Sequence, residues 1–358
     1  MNANLDWFTA HADSLDQGDQ DAEALVAELG RQGLFRIGVP AALGGLDGDT
    51  VDATEAIARV TEKSLTAAFV FWGQRTFIEY LLQSPNAALR ERLLPDLLKG
   101  EYAGATGLSN AMKFLCGIEA LQIAATPEAD GWRLDGQLPW VTNLRRAGFV
   151  VAAAVAPVNG EPAKIVALRS DHAGLTRSDD LSLIALKGSN TAALAIDSIA
   201  IGADDIIHDD ACGFLPQVRP AFLGLQCGMS IGLARASLKA GQQQAGAAHA
   251  ILLPQITAAQ ERLSAVSSEL FAGLRDGRFA DDAAPLFRLR IALAEIVQQA
   301  LNLELEASGG RAYLIDQNRH FVRRWREAAF VPVVTPSLTQ LQGELAKRAQ
   351  ADAIAQAA

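Results

Sequence analysis

The sequence predicts a mostly α-helical fold with a β insert. It comprises an N-terminal α-helical domain, a central small β-barrel or sandwich and a C-terminal four-helix bundle. Apolar residues recur at helical spacing through the first hundred residues and again beyond Phe214, whereas the stretch between them carries short β-branched and aromatic runs punctuated by Gly, Pro, Asp and Asn. The expected domains are therefore residues 1–103, 104–212 and 213–358.

Four helices are predicted in the N-terminal domain. Their ranges are 21–33, 50–61, 64–82 and 86–98. Asp49 or Thr50 is the expected N-cap of the second helix, and Gly100 closes the fourth. The third helix is apolar on most sides, which is typical of a buried helix.

The β insert is predicted from five runs, which end near Asp209. They are residues 120–126, 132–134, 149–156, 164–168 and 192–201. Asp135-Gly136 indicates the turn of a hairpin. Trp140 and Thr142 are two positions apart, so on a strand they would point to one face and could meet one ligand. β-propensity alone is the alternative explanation of both residues.

The segment Glu101–Asn110 is rich in small and hydroxyl residues. Small residues would let the backbone approach a ligand closely, and Thr106 and Ser109 could donate hydrogen bonds to it. A compact connection is the alternative interpretation. The C-terminal bundle is predicted from helices at residues 219–243, 254–274, 287–308 and 337–357, the third stopped by Gly309-Gly310.

Composition excludes several classes of protein. The formal net charge of -10 and the absence of Lys/Arg blocks disfavour nucleic acid as a partner. Cys116, Cys212 and Cys227 are unclustered, so no metal site is expected and a reducing cytoplasm suits the chain. Neither a basic N-terminal region before an apolar run nor a stretch of roughly 18 apolar residues occurs, so no membrane association is expected.

Six short segments, in order along the chain, resemble motifs of one family. They are Gly33 to Gly45, Trp140-Val-Thr-Asn143, Gly188-Ser-Asn-Thr191 with the run to Ile201, Arg219-Pro220, Glu306-Ala-Ser-Gly-Gly310 and Arg323-Arg-Trp-Arg-Glu327. On these segments the chain resembles the acyl-CoA dehydrogenase superfamily of flavoproteins over essentially its whole length. The resemblance implies that family's fold and an FAD whose isoalloxazine ring lies between the β domain and the bundle.

The resemblance also implies a set of ligand contacts. The cofactor contacts are Thr106, Trp140 and Thr142 at the ring, Ser109 and His249 near the phosphates, and Gln260, Gly309 and Gly310 at the adenosine end. Because a neighbouring subunit would supply the last three, a homodimer or homotetramer is implied. Arg219 is the expected contact to a thioester ligand or its CoA moiety.

The chain departs from the family where a Glu should remove the substrate α-proton. The corresponding positions are Thr335 or Pro336, and Val218, and none of these side chains can accept a proton. Glu327 and Glu344 are the nearest carboxylates in sequence, and a solvated charge is the ordinary interpretation of each. The catalytic base is therefore not assigned.

The cofactor motifs depart as well. Gly107 to Met112 replaces a Glu followed by a Gly-Ser-Asp turn, His249 stands where an Arg reaches the pyrophosphate, and Glu306 replaces a Gln. A neutral His loses charge-assisted bonding, and a carboxylate close to a phosphate would repel it. Weak dinucleotide binding is therefore expected.

Three hypotheses follow. The first is an FAD-dependent oxidoreductase acting on the CH-CH bond of an acyl thioester, with an electron-transfer partner. The second is a flavin-dependent monooxygenase of the same superfamily, which would use FAD or FMN reduced by a flavin reductase; neither His249 nor His320 can be assigned as its base by spacing. The third is a non-catalytic relative with a binding or assembly role.

Overall fold

The computed structural model describes residues 4–19 and 22–357. The chain forms two compact units, Met1–Met229 and Ser230–Ala358. The helical domain and the β domain predicted from the sequence both lie in the first unit. The three-domain division stays a prediction.

The first hundred residues of the first unit are helical, as predicted. The α-helices are α1 (Asp6–Ala10), α2 (Ala12–Gln17), α3 (Ala22–Arg31), α4 (Thr50–Thr61), α5 (Leu65–Gln83) and α6 (Ala87–Lys99), with short 3-10 helices at Leu34–Arg36 and Ala41–Leu43. Asp49 caps α4 through a reciprocal capping box with Asp52. Ser64 caps α5, and Gly100 ends α6 in the left-handed conformation that glycine adopts without strain.

Helix α5 is the central helix of this unit. Every side chain from Leu65 to Leu81 is buried, because other elements pack around the whole circumference of the helix. Five of these buried residues are polar or charged: Thr66, Gln74, Arg75, Thr76 and Glu79. A buried polar group normally requires a hydrogen-bonding partner, so α5 organises more than an apolar core.

The β domain is one sheet of eight strands among the described residues. Its strands are β1 (Ala103–Thr106), β2 (Ile123–Glu128), β3 (Gly131–Val141), β4 (Phe149–Pro157), β5 (Lys164–Arg169), β6 (Leu175–Arg177), β7 (Ala192–Ile201) and β8 (Ile206–His208), and helix α7 (Ser109–Leu115) follows β1. The order is β6-β7-β3-β2-β4-β5-β8, with β1 paired to β4. Short 3-10 helices lie at Lys187–Ser189 and Ala203–Asp205.

Strand β4 changes partners along its length. Its first part pairs in parallel with β1, from Ala103↔Phe149 to Thr106↔Ala152. Its last part pairs in parallel with β2, at Ala156 and Pro157. The sheet therefore forks where β1 ends, and Thr106 is the last β1 residue before the fork.

The predicted hairpin turn at Asp135-Gly136 is wrong. Strand β3 runs through both residues, and its register against β7 shifts between Leu134 and Gly136. A Cβ atom at Gly136 would lie 2.2 Å from the carbonyl oxygen of Gln122. Glycine therefore permits the close approach of this neighbouring backbone at a bulge, rather than making a turn.

The C-terminal helices follow the prediction with shifted ends. They are α8 (Ala211–Gln244), α9 (Leu253–Asp276), α10 (Arg278–Asp281), α11 (Ala284–Ser308), α12 (Arg319–Ala328) and α13 (Leu338–Ala357), with 3-10 helices at Ala247–Leu252 and Gly309–Tyr313. Helix α8 starts at Ala211 rather than at Arg219 and carries Pro216 and Pro220 in its interior. Buried Phe214 and Leu215 make the early start favourable despite the backbone hydrogen bonds that the prolines cannot donate.

The two short helices α10 and α12 were not predicted. In α12 the charged residues outnumber the apolar ones, so its buried residues, Phe321 and Ala328 among them, give a sparse periodic signal. Among the described residues, no helix combines the length and the apolar character needed to cross a membrane.

Candidate functional site

Gln74 connects three parts of the first unit through its buried side-chain amide. Its Nε2 donates to the carbonyl oxygens of Leu97 and Tyr102, each at 2.9 Å. Its Oε1 accepts from the backbone N–H of Gly104 at 2.6 Å and from Nδ2 of Asn143 at 2.9 Å. All four hydrogen-bonding positions of the amide are thereby used, which fixes α5, the end of α6, β1 and the segment after β3 together.

Asn143 holds the chain just beyond β3. Its backbone has a φ of 65°, in the left-handed region that Asn tolerates better than most residues. Its Nδ2 also donates to the carbonyl oxygen of Gly104 at 2.8 Å, and its backbone N–H donates to that of Ser189 at 2.9 Å. The conformation and bonds of Asn143 therefore position the preceding residue, Thr142.

Thr142 lies at one end of a chain of three buried hydroxyl groups. Its Oγ1 is 2.6 Å from Oγ1 of Thr191, which is 2.7 Å from Oγ of Ser189. The exposed fraction of Thr142 is 6%. On α5, a Cβ atom added to Gly73 would lie 3.5 Å from Cγ2 of Thr142, so this side chain is against the helix.

Thr106 ends β1 and pairs with a second hydroxyl. Its Oγ1 is 2.9 Å from the phenol oxygen of Tyr80 on α5, and Tyr80 has an exposed fraction of 0%. Burial raises the pKa of Tyr80, an effect that the hydrogen bond to Thr106 only partly offsets. The phenol therefore keeps its proton and cannot serve as a base near neutral pH.

Thr106 and Thr142 are thus arranged along one helix. Their neighbours on α5, Tyr80 and Gly73, lie seven positions apart, which is roughly two turns or about 10 Å along the axis. Two turns return a helix to nearly the same face. The structure therefore brings these two predicted ring-contact residues to one side of α5.

Trp140 does not share the burial of Thr142. The exposed fraction of the indole is 62%, whereas that of Thr142 is 6%. Strand β3 ends at Val141, and its register against β7 shifts between Leu138 and Val141. The regular alternation that predicted a shared face does not extend to Thr142, so the shared face stays a prediction. Trp140 still offers a flat apolar surface to a ligand.

Ser109 is the first residue of α7 and is partly buried. The next residue, Asn110, fixes this turn: its Nδ2 donates to Oε1 of Glu119 at 2.8 Å and to the carbonyl oxygen of Ala120 at 2.9 Å. Its Oδ1 accepts from the backbone N–H of Gln122 at 3.0 Å. The connection after β1 is therefore held by specific bonds.

Arg219 lies on α8, close in sequence to the point where α8 is joined to α5. The indole Nε1 of Trp72 donates to the carbonyl oxygen of Phe222 at 3.3 Å, and the two rings meet edge to face with centroids 5.3 Å apart. Arg219 itself is partly buried. Arg219 lies about one helical turn before Phe222, so the contact between Trp72 and Phe222 fixes the backbone of Arg219 relative to α5.

Four of the predicted cofactor contacts, His249, Gln260, Gly309 and Gly310, lie in the second unit. Gln260 on α9 donates from Nε2 to Oε1 of Gln242 at 3.2 Å and lines a pocket of about 300 Å³ with Arg235 and Phe271 among its other walls. Gly309 ends α11 with a φ of 59°, and a Cβ atom at Gly310 would meet no atom within 4 Å. The side chain of His249 lies outside the described residues.

The positions expected for a base carry none, and the carboxylates near them in sequence are paired. Val218 is fully buried. Glu327 is only 1% exposed, and its Oε2 lies 3.6 Å from Nε of Arg323. The prediction that the Glu327 carboxylate is solvated is therefore wrong. Glu344 lies 3.1 Å from Nζ of Lys347. Within the described part of the chain, no group of three or more His, Cys, Asp or Glu side chains could hold a metal ion.

Comparisons with known proteins show similarity to acyl-CoA dehydrogenases. Residues 7–101 match the family of the acyl-CoA dehydrogenase N-terminal domain. A probable acyl-CoA dehydrogenase of Mycobacterium leprae is 28% identical over 242 residues, which is 64% of this chain and 60% of that protein. This match therefore spans less than two thirds of the relative. A probable acyl-CoA dehydrogenase of Bacillus subtilis is 24% identical over 85% of this chain and 84% of its own length.

Solved structures share the fold. A glutaryl-coenzyme A dehydrogenase in complex with glutaryl-CoA superimposes with a TM-score of 0.83 at 18% identity, covering 96% of this chain and 91% of that one. KijD3 in complex with FMN and a dTDP-linked sugar gives 0.79 at 19% identity, covering 97% and 91%. A dibenzothiophene monooxygenase from Paenibacillus gives 0.75 at 16% identity, covering 96% and 94%.

These findings confirm the resemblance to the acyl-CoA dehydrogenase superfamily and the predicted fold class. The solved structures that share the fold include a dehydrogenase, a protein in complex with FMN and a monooxygenase, so the fold alone does not define one reaction.

The residues of the first unit fit the ring of a flavin. Two hydroxyls held from one side of α5 can meet the polar edge of the ring, and exposed Trp140 can contact its face. The dinucleotide end is less favourable, since Glu306, the residue whose carbonyl oxygen accepts from the Gly309 N–H, is exposed and carries a negative charge.

Sequence reasoning missed the residues that hold the predicted ring contacts in place, namely Gln74, Tyr80, Asn143, Ser189 and Thr191. One signal for two of them was available. Gln74 and Tyr80 lie on a helix that is apolar on most sides, and a polar group in such a helix must find a partner when it is buried. Which partner it finds depends on the tertiary fold.

Proposed function

We propose that this chain is an FAD-dependent oxidoreductase that acts on the CH-CH bond of an acyl thioester. The observation that carries the proposal is the fixed pair of hydroxyls, Thr106 and Thr142, on one side of α5. A bound flavin would supply the hydride-accepting chemistry. The chain's own contribution is to bind and orient that group with side chains that are already in place.

Each predicted contact has a distinct role in this proposal. Thr106 and Thr142 would bond to polar atoms of the ring, and Trp140 would cover an apolar face that water otherwise contacts. Arg219 would attract the negatively charged part of a CoA thioester from its position on α8. Ser109, Gln260, Gly309 and Gly310 would contact the phosphates and the adenosine, the last three from a neighbouring copy.

A flavin-dependent monooxygenase is the second candidate, and one observation favours it. The side chains bonded to Thr106 and Thr142, directly or through a further hydroxyl, are Tyr80, Thr191 and Ser189. All are hydroxyls, and Val218 is apolar, so these positions provide no carboxylate to take an α-proton. FMN is the alternative cofactor under this hypothesis. A non-catalytic relative that has lost the cofactor is the third candidate.

The proposal includes a homodimer or homotetramer, since the adenosine contacts are expected from a second copy. An electron-transfer protein would accept electrons from a dehydrogenase, whereas a flavin reductase would supply reduced flavin to a monooxygenase. A cytoplasmic location is part of the same proposal.

Visible absorption of the purified full-length chain tests the function. We expect a flavin band that survives desalting after FAD is added, with FMN as the comparison. Bleaching of that band by an acyl-CoA under anaerobic conditions supports the dehydrogenase, and turnover that requires a flavin reductase and oxygen supports the monooxygenase. If neither flavin is retained, both redox hypotheses fail and the non-catalytic one stands.

A double substitution provides the control for site location. Replacing Thr106 and Thr142 by Val keeps the side-chain volumes and removes both hydroxyls, so flavin affinity should fall by about tenfold or more through the loss of two hydrogen bonds. Replacing exposed Thr176 of β6 by Val should leave the affinity unchanged. Equal affinities in both variants would place the flavin elsewhere.

A further inference from the structure

Tyr80 contacts a predicted ring-binding hydroxyl but belongs to the interior of the unit. Its phenol oxygen lies 2.9 Å from Oγ1 of Thr106, and its ring meets that of Phe214 edge to face with centroids 6.2 Å apart. Tyr80 is fully buried, whereas Thr106 is partly exposed. A ligand can therefore reach Thr106 while Tyr80 is kept from solvent.

The chemistry of the two hydroxyls decides which one donates. A phenol is a stronger acid than an aliphatic alcohol, so it is the better donor and the poorer acceptor of the pair. Burial raises the pKa of Tyr80 further above its usual value, which keeps the proton on the phenol oxygen. With Tyr80 donating, the proton of Thr106 is left for a second hydrogen bond.

We propose that Tyr80 is a positioning residue that fixes the Thr106 hydroxyl as a hydrogen-bond donor to an acceptor atom of the flavin ring. This inference rests on the proposed function. A ring carbonyl oxygen or an unprotonated ring nitrogen can accept such a bond, whereas the ring N–H cannot. Two-electron reduction with uptake of one proton turns one ring nitrogen into an N–H, which no longer accepts, and leaves negative charge on the acceptors that stay unprotonated. The acceptor in this proposal is one of the latter, so the bond stabilises reduced flavin more than oxidised flavin.

The test is the midpoint potential of flavin bound to the full-length chain. In Tyr80→Phe the ring remains and the donor is lost, so the Thr106 proton is free to rotate away. We expect the ratio of affinities for reduced and oxidised flavin to fall by about tenfold, which is a potential more negative by about 30 mV for a two-electron couple. Tyr102→Phe is the matched control, because its hydroxyl is 3.3 Å from Oγ of Ser170 and contacts neither threonine.

A double-mutant cycle on the midpoint potential is the second test. Thr106→Val should shift the potential in the same direction, and adding Tyr80→Phe to it should produce no further shift. If Tyr80→Phe alone fails to fold, Thr106→Ser supplies the reading: it keeps the hydroxyl and should retain the wild-type potential, whereas Thr106→Val should not.

The outcomes separate the inference from the proposed function. If the wild-type chain binds neither FAD nor FMN, the proposed function is wrong and the inference falls with it. If flavin binds and Tyr80→Phe has the wild-type potential, the inference alone is wrong. A shift of equal size in Tyr102→Phe also overturns it, since the effect would then belong to the loss of any tyrosine hydroxyl.

Discussion

Gln74 and Asn143, which are 69 residues apart in sequence, are joined inside the first unit by a 2.9 Å hydrogen bond from Nδ2 to Oε1. Both side chains are fully buried, and both also bond to the backbone of Gly104. This pair couples the central helix α5 to β1 and to the residue that follows Thr142. The position of the candidate site thus depends on two amides that need not contact a ligand.

We expect Gln74→Leu to destabilise the chain by about 3 kcal/mol, because it leaves buried N–H and C=O groups without their partner. Flavin affinity should fall with it, since Thr106 and Thr142 lose their common support. The measurement is chemical denaturation followed by flavin titration. Gln83→Leu, at the end of the same helix, removes a single bond to Glu79 and should cost less than about 1 kcal/mol. Equal costs would show that the four bonds of Gln74 add nothing.

The central hydroxyl of the chain Thr142–Thr191–Ser189 is a second test. Thr191→Val keeps the volume but removes a bond from each neighbouring buried hydroxyl, at a cost of about 2 kcal/mol. We expect weaker flavin binding beyond the loss of stability, because Thr142 can then rotate. A calorimetric titration alongside thermal unfolding separates the two effects. An unchanged affinity would mean that Thr142 does not depend on Thr191.

Trp140 should matter for binding and not for folding. Because 62% of the surface of Trp140 is exposed, we expect Trp140→Ala to change the free energy of unfolding by less than about 0.5 kcal/mol. Loss of the flat apolar surface should nevertheless weaken flavin binding severalfold. Trp325→Ala removes another exposed tryptophan, 44% exposed on α12, and should leave the affinity unaltered. The prediction fails if both variants bind like the wild type.

His172 makes stability depend on pH. Its pKa is lowered from the usual 6.5 mainly because burial disfavours the cation, while the charge of Asp205 acts in the opposite direction. Below pH 6.5 the unfolded chain therefore takes up this proton more readily than the folded chain, so stability falls as the pH drops through this range.

In His172→Gln we expect a smaller loss of thermal stability between pH 7 and pH 5 than in the wild type. Replacing the exposed His320 by Gln is the control, because it removes a histidine from the surface of α12. Melting temperatures across that range provide the measurement. Identical slopes in the wild type and in His172→Gln would contradict the prediction.

Much of the fold could be predicted because periodicity and capping are local. Helix α4 has the predicted limits, since Asp49 caps its first turn. Strand β7 also has the predicted limits, since buried and exposed residues alternate along it. Gly136 shows where local reasoning stops. A glycine after an aspartate predicts a turn, but the deciding contact is the carbonyl of Gln122, which only the paired strand reveals.

The candidate site was predictable only in part, for the same reason. The resemblance supplied Thr106, Trp140 and Thr142, and their predicted role as ring contacts stays a prediction. The residues bonded to them come from distant parts of the chain, such as Tyr80, 26 positions before Thr106, and Thr191, 49 positions after Thr142. Hydrogen bonds across such separations depend on tertiary packing, which no spacing rule encodes.

Helix α8 has a consequence for anyone who wishes to dissect this protein. It is 34 residues long, about 50 Å, and the division between the two units falls inside it, after Met229. The two units are therefore joined at that point by continuous helix and not by a flexible linker. A protease would find no exposed loop to cut there. Either unit expressed alone would carry a broken helix with unpaired backbone groups at the cut, so fragments ending there should be poorer folders than the whole chain.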